Sequence, residues 1–376
     1  MEYDFSNINT PAYVVDKSKL ISNLEILRYV EKTSGCKILL AQKAFSMFEV
    51  YPLIAEYISG TASSGLYEAK LGYEYMKKQN HVFSPAYKEE EFDEILEICD
   101  HIIFNSFSQW EKFKDKALKS NRQFGMRINP EHSTQNYAIY DPCSAYSRLG
   151  VTKKNFKEDL LDGITGFHFH TLCEQNSDAL IETINAVEEK FGPYIKKMKW
   201  VNFGGGHHIT RKDYDVLALI ECIKAFKEKY NVEVYLEPGE AIALDAGVLV
   251  SKVIDIIHNE MDIAIMDTSA ACHMPDVLEM PYRPNVLNAK MPNELKYTFR
   301  LAGPTCLAGD VISDYSFDYK LKTGDIVVFC DMAIYTMVKN NTFNGIPLPS
   351  IYLAQNSTDF KLVKKFGYED FKNRLS

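Results

Sequence analysis

Short apolar runs alternate with amphipathic helical stretches through the first two-thirds of the chain. The apolar runs predict strands at residues 12–15, 37–41, 102–104, 125–128, 163–169, 200–203 and 233–236. Helical periodicity between them predicts helices at residues 18–32, 48–59, 66–77, 89–99, 177–191 and 212–229. Strands separated by helices of this length predict a parallel sheet, either doubly wound or closed into a barrel.

The pattern changes near residue 245. Segments 247–259, 262–267, 297–302 and 325–334 read as strands without helices of comparable length between them. This arrangement indicates a mainly antiparallel β domain. No low-complexity linker separates the two parts of the chain.

Composition and charge exclude a few function classes. The 376 residues suffice for two domains, and the net charge of −9 disfavours nucleic acid and anionic membranes as partners. The eight cysteines are scattered without a C-x-x-C pair, which favours reduced thiols in a cytosolic protein. No run approaches the ~18 apolar residues that span a bilayer. The N-terminal segment lacks the basic and apolar regions of a signal peptide, so we expect a cytoplasmic location.

Three successive glycines, Gly204, Gly205 and Gly206, follow the predicted strand 200–203. Without side chains in the way, their backbone N–H groups suit the close approach of a phosphate. Tight strand-to-loop turns also use glycine, so the triplet alone is a weak signal.

Lys43 follows the predicted strand 37–41. At the mouth of a barrel it would be partly desolvated, which lowers the pKa of the amine and makes it a nucleophile. Taken alone, a solvated lysine at a strand end is the more frequent case.

His168 and His170 alternate along one predicted strand and therefore face the same side. Together with His207 and His208 they suggest a metal, but no nearby acidic residue or cysteine completes a ligand set, so we predict no metal site. A His170 ring stacked over a flat ligand is the better functional interpretation. A satisfied interior histidine is the structural alternative.

Glu237 begins a Glu-Pro-Gly-Glu segment directly after the predicted strand 233–236. A carboxylate buried there requires a partner, and a protonated ring nitrogen would serve. Glu240 would face the same cavity if the segment turns. Either glutamate could instead be a carboxylate at a helix start.

Cys306 lies in a Gly/Pro-rich segment, residues 303–310. A cysteine in such a turn can be exposed and movable, and so act as an acid or nucleophile. The alternative is a small buried apolar side chain. Tyr335 carries no signal by itself.

In this order, the features resemble the fold-type III pyridoxal-phosphate decarboxylases, which include ornithine, diaminopimelate and arginine decarboxylases and, more distantly, alanine racemase. The resemblance extends over essentially the whole chain. Details at residues 169–174, 204–210, 237–241 and 273–276 are similar to carboxynorspermidine/carboxyspermidine decarboxylases. The resemblance implies an α/β fold: a cofactor-binding (β/α)8 TIM-like barrel over residues 20–245, and a mainly antiparallel β-sandwich or β-barrel-like domain from residues 1–19 and 246–376.

The resemblance also implies a role for each candidate residue. Lys43 would hold pyridoxal 5′-phosphate as a Schiff base, and the glycine triplet with Tyr335 would bind its phosphate. Glu237 would keep the ring nitrogen protonated, and His170 would stack on the ring. Cys306, from the partner subunit of a homodimer with shared active sites, would deliver a proton to the substrate α-carbon.

Two positions depart from the amino-acid decarboxylases. Glu240 stands where those enzymes usually have an arginine near the phosphate, and Leu307 stands where an acidic residue usually follows the cysteine. We therefore expect Glu240 and Asp276 to bind the ammonium groups of a carboxylated triamine. The implied reaction is decarboxylation of carboxynorspermidine or carboxyspermidine in polyamine synthesis.

Three alternatives stay open at this point. The chain could be a decarboxylase of diaminopimelate or of a basic amino acid, or a non-catalytic regulator on this fold. A racemase is disfavoured because that chemistry needs two bases placed differently. The two carboxylated triamines differ by one methylene, worth only about 1–3 kcal/mol in a fitted pocket, so both could be accepted.

Overall fold

The computed structural model describes residues 3–135 and 138–376. Its strands are β1 (Ala12–Asp16), β2 (Lys37–Ala41), β3 (Gly60–Ser63), β4 (Gln79–Phe83), β5 (His101–Phe104), β6 (Gln123–Arg127), β7 (Gly166–His168), β8 (Trp200–Asn202), β9 (Glu233–Leu236), β10 (Gly247–Asn259), β11 (Met261–Met266), β12 (Tyr297–Ala302), β13 (Val311–Phe317), β14 (Ile326–Cys330), β15 (Ser350–Ala354) and β16 (Phe360–Lys364). Its helices are α1 (Lys17–Ser34), α2 (Tyr51–Ile54), α3 (Leu66–Leu71), α4 (Glu89–Ile98), α5 (Phe107–Ala117), α6 (Ser177–Ile195), α7 (Val216–Tyr230), α8 (Glu240–Ala243), α9 (Ala270–His273), α10 (Asp276–Glu279) and α11 (Tyr368–Lys372).

The chain forms two compact units, of which Asn23–Ile242 is a closed barrel. Strands β2 to β9 pair in parallel in chain order, and β9 pairs with β2 to close the ring. Of the two parallel arrangements left open by the sequence, the structure therefore has the barrel. The predicted α/β barrel fold is confirmed.

Strands β3 and β4 are not predicted from the sequence, because many of their buried residues are polar or small. Thr61 and Asn80 are both buried in the barrel, and the Thr61 hydroxyl lies 3.2 Å from Asn80 Oδ1. At Gly60 a Cβ atom would overlap the backbone of Gln79, so β3 and β4 approach each other more closely than a larger residue allows. Polar side chains of β3 and β4 form hydrogen bonds with each other inside the barrel. These strands therefore lack the apolar run by which a buried strand is usually recognised.

One helix prediction is wrong, and one helix has no prediction. Within the predicted helix 48–59, only a 3-10 turn at Phe48–Val50 and the four residues of α2 are helical, because Ser59 donates its N–H to Ile38 and the chain turns into β3. Helix α5 was not predicted, although its buried residues Phe107, Trp110 and Phe113 have helical spacing.

The second unit comprises the residues up to Ser22 together with Ala243–Ser376. Its sheet has the order β13-β12-β11-β10-β1-β15-β16, and β14 also pairs with β10. Most pairs are antiparallel, as predicted, whereas β1–β15 and β11–β12 are parallel. The N-terminal strand β1 thus lies between two strands from the C-terminal part. Within the described ranges, no helix is long and apolar enough to cross a membrane.

Candidate active site

A cavity of about 320 Å³ opens among residues at the carboxyl ends of the barrel strands. This end of a parallel α/β barrel is where functional side chains usually gather, because the loops that follow the strands meet there. The cavity is lined by Lys43, Arg127, His168, His170 and Glu237. Other lining residues include Ser63, Phe83 and Arg148. Three of the predicted site residues therefore share one cavity.

Lys43 projects into this cavity from the turn that follows β2. Its side chain is accessible from the cavity, and the protein around the cavity partly desolvates its ammonium group. Burial lowers the pKa of Lys43, and the Arg127 cation lowers it further, whereas Glu237 and Glu240 oppose the shift. The amine is therefore more readily deprotonated than an ordinary surface lysine.

Glu237 follows β9 and is only 9% exposed. Its Oε1 accepts a hydrogen bond from Asn202 Nδ2 at 2.6 Å, and its Oε2 lies 3.3 Å from His168 Nε2. Burial alone would raise the pKa of Glu237, but His168, Asn202 and Lys43 more than offset burial and hold that pKa below its usual value. The cavity thus contains a buried carboxylate that stays ionised.

The glycine triplet forms a tight turn packed against neighbouring backbone. Gly204 and Gly206 have φ of 71° and 83°, in the left-handed region that favours glycine. A Cβ atom on Gly206 would overlap the Leu172 carbonyl. The N–H of Gly204 donates to Asn202 Oδ1 at 2.8 Å, and the N–H of Gly205 donates to His170 Nδ1 at 2.8 Å.

Arg127 was not singled out from the sequence. It ends β6, is 5% exposed, and its guanidinium lies 4.5 Å from the centre of the Phe83 ring. Its Nη2 donates to the His170 carbonyl at 3.2 Å, and burial lowers the pKa of Arg127 to about 10. The sequence does carry a signal, since Arg127 is a cationic residue within the predicted strand 125–128. Asn202 ends β8 in the same way and was also missed.

Glu240 is the first residue of α8 and is 9% exposed. Its Oε2 lies 3.8 Å from His208 Nε2, and His208 Nδ1 lies 3.4 Å from Arg211 Nη1. Glu240 affects the pKa of Lys43 but does not line the cavity itself. The structure places this carboxylate at the start of a helix, and its approach to the cavity stays a prediction.

The other three predicted site residues belong to the second unit. Cys306 is exposed in the loop between β12 and β13, and its N–H donates to Asn344 Oδ1 at 2.7 Å. Tyr335 is half-buried in a turn, with φ of 51°. Asp276 begins α10 and forms an ion pair with Lys339.

Comparison with known proteins identifies the family. The family described as pyridoxal-dependent decarboxylase, C-terminal sheet domain, matches residues 12–333. Carboxynorspermidine/carboxyspermidine decarboxylase of Campylobacter jejuni is 47% identical over 381 residues, which cover 98% of this chain and 99% of that protein. Carboxyaminopropylagmatine decarboxylase of Synechocystis is 40% identical, over 98% of this chain and 96% of that protein.

Solved structures agree with the sequence comparison. The crystal structure of carboxynorspermidine decarboxylase from Campylobacter jejuni, complexed with norspermidine, matches with a TM-score of 0.91 and 46% identity. The match covers 98% of this chain and 100% of the Campylobacter jejuni chain. The barrel cavity with its lysine, the mainly antiparallel sheet and the full-length similarity lead to one conclusion: this chain belongs to the pyridoxal-dependent decarboxylases.

Proposed function

We propose that this enzyme decarboxylates carboxynorspermidine, carboxyspermidine or both, and so releases norspermidine or spermidine in polyamine synthesis. The observation that carries the proposal is the full-length identity of 47% to the Campylobacter jejuni enzyme of that name. The diaminopimelate decarboxylases in the comparison reach only 22–28% identity, and three of the five match three quarters of this chain or less.

The residues of the cavity fit pyridoxal 5′-phosphate. Lys43 supplies an amine of lowered pKa for covalent attachment, and Glu237 supplies a buried carboxylate for the ring nitrogen. The glycine turn leaves no room for a Cβ atom. A phosphate bound at this turn would therefore be contacted by backbone N–H groups. Because the N–H groups of Gly204 and Gly205 already donate to Asn202 and His170, we assign the phosphate contacts to Gly206 and the Tyr335 hydroxyl.

When bound, pyridoxal 5′-phosphate supplies an electron-accepting ring that stabilises the electron pair left on the α-carbon as CO2 departs. The protein orients the cofactor and holds protons at defined atoms. Glu237 holds a proton at the ring nitrogen. Burial keeps the pKa of His170 well below its usual value, so its ring is neutral and can lie flat against the cofactor without adding charge.

Protonation of the product α-carbon requires an acid, and we assign this role to Cys306. No cysteine is among the described residues that line the cavity, whereas Cys306 is exposed on a well-anchored loop. We propose a homodimer in which Cys306 of each copy serves the active site of the other.

Glu240 is our first choice for the residue that binds a substrate ammonium group. Asp276 is the weaker candidate because Lys339 already neutralises it. A charge-assisted hydrogen bond in a buried site is worth roughly 1.5–3 kcal/mol, which is enough to favour a polyamine over a short amino acid. We assign both Glu240 and Asp276 to the distal amines of the substrate, and Glu240 is the stronger candidate of the two.

Cofactor trapping and a substrate panel test the proposal. Borohydride reduction of the purified enzyme should fix the cofactor to Lys43, detected by peptide mass. CO2 release should be fastest with the two carboxylated triamines, compared with carboxyaminopropylagmatine, diaminopimelate and ornithine. A protein that binds no pyridoxal phosphate would contradict the cofactor assignment, and faster turnover of any other panel member would contradict the substrate assignment.

Glu240→Gln tests substrate selection separately. The variant should keep the cofactor but raise KM for the carboxylated triamines about 10- to 100-fold, because it loses one charge-assisted hydrogen bond. Glu221→Gln, on the exposed face of α7, removes the same charge elsewhere and is the matched control. Equal KM values for the two variants would remove Glu240 from the substrate site.

A further inference from the structure

Strand register places a row of polar side chains beneath Glu237. Arg127 on β6 is in register with His168 on β7, and His168 is in register with Asn202 on β8. Asn202 is in turn in register with Tyr235 on β9, two residues before Glu237. Because residues two apart on a strand share a face, Glu237 continues this row just beyond the end of β9.

The position of His168 determines its tautomer. Its side chain is buried, its Nε2 faces Glu237 Oε2 at 3.3 Å, and its Nδ1 has no hydrogen-bond partner among the described residues. A proton on Nδ1 would leave that N–H unpaired and set two acceptors against each other at Nε2. An imidazolium is disfavoured, because burial together with the Arg127 and Lys43 cations lowers the pKa of His168 more than Glu237 raises it. His168 is therefore neutral, with its proton on Nε2, and donates to Glu237.

Asn202 is fixed just as firmly. Its Oδ1 accepts the N–H of Gly204 at 2.8 Å, so its Nδ2 must point to Glu237 Oε1. An aspartate here would place a second carboxylate against Glu237. Each oxygen of Glu237 thus has one donor from the protein, and each keeps a further lone pair for a ligand.

We propose that His168 is a positioning residue for the reaction: by donating its Nε2–H to Glu237, with Asn202 on the other oxygen, it keeps that carboxylate ionised and so places the shared proton on the cofactor ring nitrogen. The inference rests on the proposed function, in which Glu237 meets that nitrogen. One proton is shared between the carboxylate and the ring nitrogen. Any donor that stabilises the carboxylate shifts the proton to the ring, and removal of the donor returns the proton to a buried acid.

The tautomer can be tested without cofactor. Two-bond 1H–15N correlation spectra of the full-length, cofactor-free protein labelled at histidine should show His168 as the neutral Nε2-protonated form at pH 7, assigned by its loss in His168→Leu. Glu237→Gln should shift this signal, because the carboxylate acceptor is gone. A His168 protonated on Nδ1, or one indifferent to Glu237→Gln, would overturn the proposal.

The holoenzyme tests the consequence. With 15N-labelled pyridoxal phosphate, the ring-nitrogen chemical shift should move toward the unprotonated value in His168→Leu and should return in His168→Gln, whose amide can donate in the same place. The rate constant kcat should fall about 10- to 100-fold in His168→Leu with little change in KM, the loss expected for one hydrogen bond to a charged group.

His101→Leu is the matched control. His101 is buried in the same barrel and also has an Nδ1 without a partner among the described residues, but its ring packs against Trp200 and His81. This variant should leave the ring-nitrogen shift unchanged. If His101→Leu and His168→Leu move the shift equally, or if neither moves it, His168 has only a structural role. A wild-type enzyme without bound cofactor would defeat the proposed function instead, while the cofactor-free spectra would still decide the tautomer.

Discussion

A single methyl group is enough to disturb the turn at Gly206. Its φ of 83° is unfavourable for any other residue, and a Cβ atom there would overlap the carbonyl of Leu172. Two separate constraints, backbone conformation and close approach, therefore require glycine at this position. The same turn is our proposed phosphate site, so its shape determines both stability and cofactor binding.

Gly206→Ala should lower the free energy of unfolding by about 1–3 kcal/mol and weaken pyridoxal phosphate binding at least tenfold. Urea unfolding and cofactor titration measure the two effects. Gly367→Ala is the control, because a Cβ atom there meets nothing within 4 Å. Unchanged cofactor affinity in Gly206→Ala would show that the phosphate does not depend on this turn.

Residue types identify part of the site, and strand register identifies the rest. Lys43, His170 and Glu237 each follow a predicted strand, and the structure places all three around one cavity. Arg127 and Asn202 have equally polar side chains, but their importance depends on which strands become neighbours. Asn202 faces Glu237 only because β8 pairs with β9 in one register. A single sequence carries no direct signal for that pairing.

At the scale of elements, the loop that carries Cys306 is anchored by one buried acid. Asp310 is 3% exposed, and its carboxylate accepts hydrogen bonds from the hydroxyl and N–H of Thr305, the hydroxyl of Ser269 and the N–H of Ala271. The Asp310 side chain thus ties its own loop, at Thr305, to the segment 269–271. The exposure of Cys306 therefore does not mean that its loop is free to move.

Asp310→Ala should destabilise the protein by about 2–4 kcal/mol, since four buried or half-buried donors lose their acceptor. It should also lower turnover more than cofactor binding, because only the proposed acid is displaced. Urea unfolding, kcat and cofactor titration separate these effects. Asp318→Ala, at an exposed position after β13, serves as the control. A fully active Asp310→Ala enzyme would argue against Cys306 as the acid.

Strand prediction succeeded at many apolar runs, but β13, β15 and β16 were not predicted, although β15 is apolar and mostly buried. The prediction for β9 matches its observed bounds, and that for β10 does as well. Strands β3 and β4 were missed because polar side chains bury and pair with one another inside the barrel. The prediction of a helix at residues 48–59 is wrong because the chain leaves the helix to enter β3, where it pairs with β2, despite the helical periodicity of the segment. Local patterns therefore predict an element only where tertiary contacts agree with them.

At the scale of the whole molecule, buried histidines should make stability depend on pH. Burial lowers the pKa of His101, His207 and His273 to about 4 in each case. The unfolded chain binds protons at these sites near pH 6.5, so it holds more protons than the folded chain between about pH 6.5 and pH 4. The stabilisation is complete above about pH 6.5, decreases as the pH falls, and is fully lost below about pH 4.

Each such histidine contributes a slope of up to ~1.4 kcal/mol per pH unit in this window. The free energy of unfolding, from urea titrations at pH 4.5 to 7.5, should therefore decrease steeply on the acid side. His101→Leu should have a shallower slope than the wild type. Identical slopes would show that His101 is not neutral in the folded protein.

The proposed dimer leads to a complementation experiment. Lys43→Ala and Cys306→Ala should each be inactive alone, because one lacks the amine and the other the acid. If each site takes Lys43 from one copy and Cys306 from the other, a mixed dimer has one intact site and one doubly defective site. Random mixing after subunit exchange should then restore about a quarter of wild-type activity. A mixture of Lys43→Ala with Lys43→Arg is the control and should stay inactive. If both residues of a site belonged to the same copy, no mixture would regain activity, and the shared-site dimer would be wrong.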